Sequence, residues 1–325
     1  MIVTLKSDAD PKQAKRKLAR LGLWAEPLVS HGDGPVAFAV APHSRRVDPQ
    51  KVLEVEEVAS VASDPSAHPR LDGLAGSSVA VGEHRIGPGA PFAVFAGPCS
   101  IDSEERIYAL ARRLGRSGVR FLRGGAFKPR TSPYSFQGLG EQALEWMRRA
   151  GRETGMAVVT ECMSERSVET VAEYADMIQV GSRNMQNFAL LKEVGKAAKP
   201  VLLKRGMAAT FEEWLLAGEY LLVHGASGVV FCERGVRGFE PSTRNLVDLA
   251  AAAQLAHVLG QAVIVDPSHG TGRVDLVPPL CRATRAVGAH GVMFETHDDP
   301  GHALSDGPQA LAPDDAETLA RELSD

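Results

Sequence analysis

The sequence predicts an α/β protein in which a small α+β module precedes a closed barrel of eight βα units. Three observations predict it. From residue 91 onward, eight short β-branched or apolar runs alternate with helical or polar stretches. The region they occupy, 91–325, fills the length of about 250 residues usual for a (β/α)8 TIM barrel. Residues 1–65 carry a strand–helix pattern of their own, and the Pro-, Gly- and Asp-rich DPSAHPRLDGLAG closes it off.

In the first segment MIVTL reads as a strand and PKQAKRKLARLGL as a basic amphipathic helix. VAFAVAP is a second strand, a short helix comes near VDPQKVLEV, and VASVAS is a last strand. That order fits a small ferredoxin-like sandwich. Residues 66–90 read as the linker and then SVAVGEHRIGPG, a strand pair around a Gly-rich turn that would act as a lid on the barrel. The barrel strands are FAVFAG, VRFLRGG, AVVTEC, MIQVGS, VLLKRG, GVVFCE, AVIVDP and GVMFET. Among the helices, one is delimited especially well. Thr210 and Glu213 have capping-box spacing, Phe211, Trp214, Leu215, Leu221 and Leu222 share a stripe, and Gly225 ends it. Fewer than eight strands would leave an open doubly wound sheet, the structural alternative.

Composition narrows the function classes. The chain has 325 residues, 44% hydrophobic and 23% charged, as ordinary globular proteins do. Its net charge of −4 supplies no field for nucleic acid or anionic lipid. MIVTLKSDAD has no apolar run of signal-peptide length, and no stretch approaches the roughly 20 apolar residues of a membrane span, so a cytoplasmic protein is expected. The four cysteines have no CxxC pairing, and Cys162, Cys232 and Cys281 are assigned to packing.

In a barrel of this kind, chemistry sits where strands end and βα loops begin. Those ends carry Cys99, Arg123, Glu161, Arg183, Lys204 with Arg205, Glu233 with Arg234, Asp266 with His269, and Glu295. Ionisable groups at all eight ends of otherwise apolar strands point to one polar site. Cys99, His269, Glu295 and the following Asp306 are donors of mixed softness that suit a divalent transition metal (Mn2+, Fe2+, Co2+ or Zn2+) rather than Ca2+ or Mg2+. Taken singly, Cys99 reads as a buried thiol, His269 as a loop histidine and Asp306 as a turn residue. Glu295, ending an apolar strand, demands a partner. His297, Asp298 and His302 stand close by as competing donors. Arg123, Lys128, Arg130, Arg183, Lys204 and Arg234 form a second set. Guanidinium groups bind phosphate and carboxylate in bidentate fashion, and so many cations in an acidic protein imply phosphate-bearing substrates.

The segment Arg123–Gly138, RGGAFKPRTSPYSFQG, closely resembles the substrate loop of 3-deoxy-D-arabino-heptulosonate 7-phosphate (DAHP) synthases, whose KPRTS signature stands here as Lys128–Ser132. AGPCS, QVGSRNMQNF, LLKRG, CERG, VDPSHGTGR, GAHGVMFE and ALSDG match in order, so the resemblance covers essentially all of 91–325. The subgroup is the one related to 3-deoxy-D-manno-octulosonate 8-phosphate synthases, and it carries an amino-terminal ferredoxin-like regulatory module. The resemblance implies condensation of phosphoenolpyruvate with erythrose 4-phosphate and water, the entry to the shikimate pathway. It implies Cys99, His269, Glu295 and Asp306 as metal ligands. Arg123, Lys128, Arg183, Lys204 and Arg234 would hold phosphoenolpyruvate, and Arg130, Thr131 and Ser132 would contact erythrose 4-phosphate. Lys128 is the implied proton donor, with Glu161 and Asp266 as acids near the reacting centre. It also implies a homotetramer and feedback inhibition, most naturally by tyrosine or phenylalanine, through residues 1–65.

Three other functions compete. The octulosonate synthases resemble an ANRSS pattern where this chain has PRTS, and they lack the amino-terminal module. A non-catalytic amino-acid-binding barrel would have lost at least one metal or phosphate ligand, and none is missing. A metal-dependent aldolase shares the fold class, which alone assigns no chemistry.

Overall fold

The computed structural model of the chain describes residues 1–28, 36–128 and 132–324. They divide into two units, Met1–Ala67 and His68–Asp325. The first contains β1 (Ile2–Leu5), α1 (Pro11–Arg20), β2 (Ala25–Pro27), β3 (Ala37–Val40), α2 (Pro49–Leu53) and β4 (Val58–Ala62). Its antiparallel sheet has the order β2-β3-β1-β4, which with the βαββαβ element sequence is the split-βαβ arrangement. Asp10 starts α1 by accepting from Lys12 N at 2.8 Å, and Pro11 occupies the first helical turn. Ala14 and Leu18 then bury one helix face with Val3, Leu5, Phe38, Val52 and Val58.

The second unit opens with a helical turn, α3 (Pro69–Asp72), inside the Pro/Gly-rich segment. The buried Glu219 carboxylate holds it by accepting from Arg70 N at 2.9 Å and Leu71 N at 3.0 Å. An antiparallel pair comes next, β5 (Val79–Val81) and β6 (His84–Ile86). The barrel runs β7 (Ala93–Gly97), α4 (Glu104–Gly115), β8 (Phe121–Arg123), α5 (Glu141–Thr154), β9 (Ala157–Glu161), α6 (Val168–Tyr174), β10 (Met177–Val180) and α7 (Phe188–Lys196). It continues β11 (Pro200–Lys204), α8 (Phe211–Val223), β12 (Gly228–Glu233), α9 (Leu249–Ala253), β13 (Val263–Val265), α10 (Pro267–Thr271), α11 (Val277–Ala286), β14 (Gly291–Glu295) and α12 (Pro313–Ser324). All eight barrel strands are parallel and β14 closes on β7, which excludes the open sheet. The α8 capping box is formed, with Glu213 N donating to Thr210 Oγ1 at 3.2 Å and Thr210 N to Glu213 Oε2 at 2.7 Å.

Strand periodicity decides which side chains face the barrel axis. Phe95, Phe121, Ala157, Val159, Met177, Leu202, Val230, Cys232, Ile264 and Met293 form the interior cluster. Their neighbours Val94, Leu122, Val158, Ile178, Leu203, Phe231 and Val292 pack outward against the helices. Val81 and Ile86 join the interior cluster, and Val79 lies against Gly228, the first residue of β12, where an added Cβ would stand 2.8 Å from Val79 Cγ1. The hairpin is therefore a plug under the amino-terminal end of the barrel, not a lid over the strand ends where the chemistry is expected. Val81 and Ile86, with Val79 packed beside them, extend the interior core at that end. Among the described residues no helix is long and apolar enough to cross a membrane.

Candidate active site

The same two-residue period carries past the apolar core into the carboxyl ends of the strands. Inward Phe121 is followed by Arg123, Val159 by Glu161, Met177 by Gln179, Leu202 by Lys204, Cys232 by Arg234, Ile264 by Asp266 and Met293 by Glu295. Seven polar side chains thus converge above the interior cluster. Cys99 follows Phe95 in the same phase, across Gly97. An added Cβ at Gly97 would stand 2.0 Å from Arg123 O, and its φ is +150°, so only glycine lets β7 approach β8 this closely.

One ligand atom each from Cys99, His269, Glu295 and Asp306 lies within 4.8 Å of the others. Cys99 Sγ donates to Asp306 Oδ2 at 3.0 Å, and His269 Nε2 stands 3.2 Å from Glu295 Oε1. Asp266 organises one side. Its Oδ1 caps α10 by accepting from His269 N at 3.0 Å, and its Oδ2 lies 2.7 Å from His269 Nδ1 and 2.5 Å from Lys204 Nζ. Burial opposes its ionisation, but His269 and Lys204 outweigh burial and hold the carboxyl well below its usual range. An ionised carboxylate only accepts, so Nδ1 carries the proton and the Nε2 lone pair turns to the quartet. Burial also lowers the His269 pKa, which favours the neutral, ligating form. Burial, with Glu295 adding to it, pushes the Cys99 thiol up to about 12. A divalent cation would supply the charge that a thiolate there requires. The mixed donor set, the fixed imidazole and the two flanking carboxylates fit such a cation.

Cations surround the quartet. Lys128 Nζ donates to Cys99 Sγ at 2.9 Å and Cys99 O at 3.0 Å. Burial works against its charge, but Cys99 and Glu295 more than compensate and raise its pKa. Arg123 NH1 donates to Pro98 O at 2.8 Å and Glu295 Oε1 at 2.9 Å. A cavity of about 350 Å³ opens beside them, lined by Arg123, Lys128, Ser132, Glu161, Arg183, Lys204, Arg234, His269 and Asp306. Among the described residues, Arg123 Nε and Arg234 NH1 are buried with no hydrogen-bond partner, an arrangement that an anion would satisfy. Burial lowers the Arg234 pKa, the expected cost of a cation waiting for a counter-charge.

Most residues singled out from the sequence meet here, and some do not. Arg130 and Thr131 lie outside the described residues. Asp266 is wholly buried and reaches the cavity only through Lys204 and His269. Arg205 and Glu233, in the opposite phase, leave the site altogether. Arg205 NH1 binds Glu233 Oε2 at 3.1 Å and Asp248 Oδ2 at 2.9 Å, and its guanidinium lies over Trp214. His297 turns to Asp102 at 3.3 Å, away from the quartet. Gln179, Ser135, Met207 and Arg244 also line the cavity, although the sequence reading does not single them out. Gln179 could have been found from its phase with Met177. Gln309, which donates to Glu295 Oε2 at 2.5 Å, has no such signal.

The fold and site define an enzyme of the (β/α)8 class that takes small, multiply anionic substrates beside a cluster able to hold a metal. The profile of the DAHP synthetase I family matches residues 65–325. The phospho-2-dehydro-3-deoxyheptonate aldolase of Thermotoga maritima is 52% identical over 231 residues, 71% of this chain and 68% of that protein. The crystal structure of a DAHP synthase from Thermotoga maritima, 42% identical, has a TM-score of 0.77 and covers 99% of this chain and 95% of that one. A 2-dehydro-3-deoxyphosphooctonate aldolase of Acidithiobacillus ferrooxidans is more distant, 31% identical over 252 residues, 72% of this chain and 88% of that protein. The chain belongs to the DAHP synthetase I family.

Proposed function

We propose that the protein condenses phosphoenolpyruvate with D-erythrose 4-phosphate and water to give DAHP and phosphate, with a divalent transition metal (Mn2+, Fe2+, Co2+ or Zn2+) held by Cys99, His269, Glu295 and Asp306. The observation that carries it is a pair of guanidinium nitrogens, on Arg123 and Arg234, that have no partner among the described residues and lie buried beside a cation-lined cavity adjoining the quartet. Arg123, Arg183, Lys204 and Arg234 bind the phosphate and carboxylate of phosphoenolpyruvate and fix its C3 for attack. Arg130, Thr131 and Ser132 hold the second phosphate. The metal, when bound, supplies Lewis-acid polarisation of the aldehyde oxygen.

Lys128 holds a proton at Nζ, against Cys99, and gives it to the aldehyde oxygen as the new carbon–carbon bond forms. Glu161 faces the cavity, steadied by Gln179 Nε2 at 3.1 Å. It takes the proton of the water that adds at C2 before phosphate leaves. Asp266 positions His269 and Lys204 and does not touch substrate. Lys128→Met is expected to lower kcat by about 100-fold or more with less effect on metal binding, checked by initial rates and metal analysis. An unchanged kcat would refute the proton-donor role.

The decisive assay measures phosphate release from phosphoenolpyruvate with erythrose 4-phosphate or arabinose 5-phosphate, before and after EDTA and with Mn2+ restored. The expected result is turnover with erythrose 4-phosphate that EDTA abolishes and Mn2+ restores. Turnover only with arabinose 5-phosphate would transfer the protein to the octulosonate reaction, and EDTA-resistant turnover would remove the metal.

A further inference from the structure

The outer sides of the two carboxylates in the quartet are held by residues given no step in the proposed reaction, although one of them, Arg244, also lines the cavity. Glu295 turns Oε1 toward His269 Nε2 and Arg123, while Oε2 points away and accepts from Gln309 Nε2 at 2.5 Å. Gln309 is 2% exposed, so this bond is shielded from water. Its Oε1 accepts from Arg244 NH1 at 3.3 Å, and the same nitrogen stands 3.5 Å from Asp306 Oδ1. Asp306 Oδ2 is left for the quartet, 3.0 Å from Cys99 Sγ.

The main chain ties these contacts to the remaining donor. Gln309 N donates to Asp306 O at 3.2 Å, Arg244 N to Thr271 O at 2.8 Å, and Asn245 N to Gly270 O at 2.9 Å. Asn245 Nδ2 donates to His269 O at 3.1 Å. The loop after β12 is therefore laced to the turn that carries His269, to the segment that carries Asp306, and through Gln309 to the end of β14.

We propose that Arg244 and Gln309 are a positioning bracket that fixes the orientation of the Glu295 and Asp306 carboxylates and thereby sets the affinity of the quartet for a divalent cation. The bracket rests on the reading of the quartet as a metal site. A carboxylate free to turn about its last bond must be ordered when the cation arrives, and that entropy weakens binding. The bracket occupies Glu295 Oε2 and Asp306 Oδ1, which leaves one oxygen of each to face inward. It also brings a cation beside two carboxylates that would otherwise repel one another. The buried Gln309 contact should matter more than Arg244, whose side chain is 39% exposed.

The test is a Co2+ titration of chelator-stripped protein, read from the thiolate-to-cobalt absorption band, with melting of the metal-free proteins measured in parallel. Gln309→Ala and Arg244→Ala are each expected to weaken Co2+ binding about 10–100-fold, Gln309→Ala the more, with partial recovery in Arg244→Lys. In Gln309→Ala, turnover lost at limiting metal should return as metal is raised, while KM for phosphoenolpyruvate stays within about threefold. A normal wild-type band with both alanine variants within about twofold of wild-type affinity would overturn the bracket alone, and a lowered metal-free Tm at unchanged affinity would make the pair merely structural. No band in the wild type would overturn the metal centre, and the bracket with it.

Discussion

Glu161 reaches the cavity because residue 181 has no side chain. An added Cβ at Gly181 would stand 2.0 Å from Glu161 Oε1. The Gly181 backbone, φ −73° and ψ 160°, is one that alanine adopts without strain. Gly181→Ala therefore acts through displacement of the carboxylate and not through the backbone. It is expected to lower kcat by about tenfold or more, with Tm little changed. Steady-state rates together with a melting curve check this. A kcat equal to wild type would remove Glu161 from the proton-transfer steps.

At the level of the strand, alternation separates residues that the sequence places side by side. Arg234 faces the axis, is buried, and has a nitrogen without a partner among the described residues. Arg205 faces outward and is satisfied by Glu233 and Asp248. Arg234→Met should raise KM for phosphoenolpyruvate by about 10–100-fold, the loss of a charge-assisted bond, without lowering the Tm of the free enzyme. Arg205→Met should leave KM near wild type and cost about 3–5 kcal/mol of stability, because Glu233 is left buried and unpaired. Reversal of either Tm effect would contradict the assignment.

The same alternation explains what is legible in the sequence. Eight strands are readable because each is a short apolar run bounded by polar segments. Cys99, His269 and Glu295 can be singled out because they end such runs or come just after them, whereas Asp306 lies further on in a loop and is marked by the family resemblance. Residue type alone groups Arg205 and Glu233 with the site, although their phase with Leu203 and Phe231 turns them outward. Gln179 escapes a search for charged strand ends because it carries no charge. Arg244 and Gln309 sit in segments without strand or helix period, so only tertiary structure brings them to the carboxylates.

The whole molecule is two units with separate cores. Val3, Leu5, Leu18, Phe38, Val52 and Val58 close the first unit's core on itself, and the barrel carries its own plug in Val81 and Ile86. The family profile begins at residue 65, so every group assigned to the reaction lies in the matched part. A chain starting at His68 should therefore fold and keep kcat within about threefold of the full chain, since every group assigned to the reaction belongs to the second unit. We propose that the first unit confers inhibition by tyrosine or phenylalanine, as its split-βαβ arrangement and the resemblance of its layout to a regulatory module imply. Inhibition should then be present in the full chain and absent from the shortened one. Initial rates of both chains across a titration of tyrosine, phenylalanine and tryptophan distinguish the cases. Indifference of the full chain to all three would leave the first unit without this role. Equal inhibition of both chains would place the inhibitor on the barrel instead.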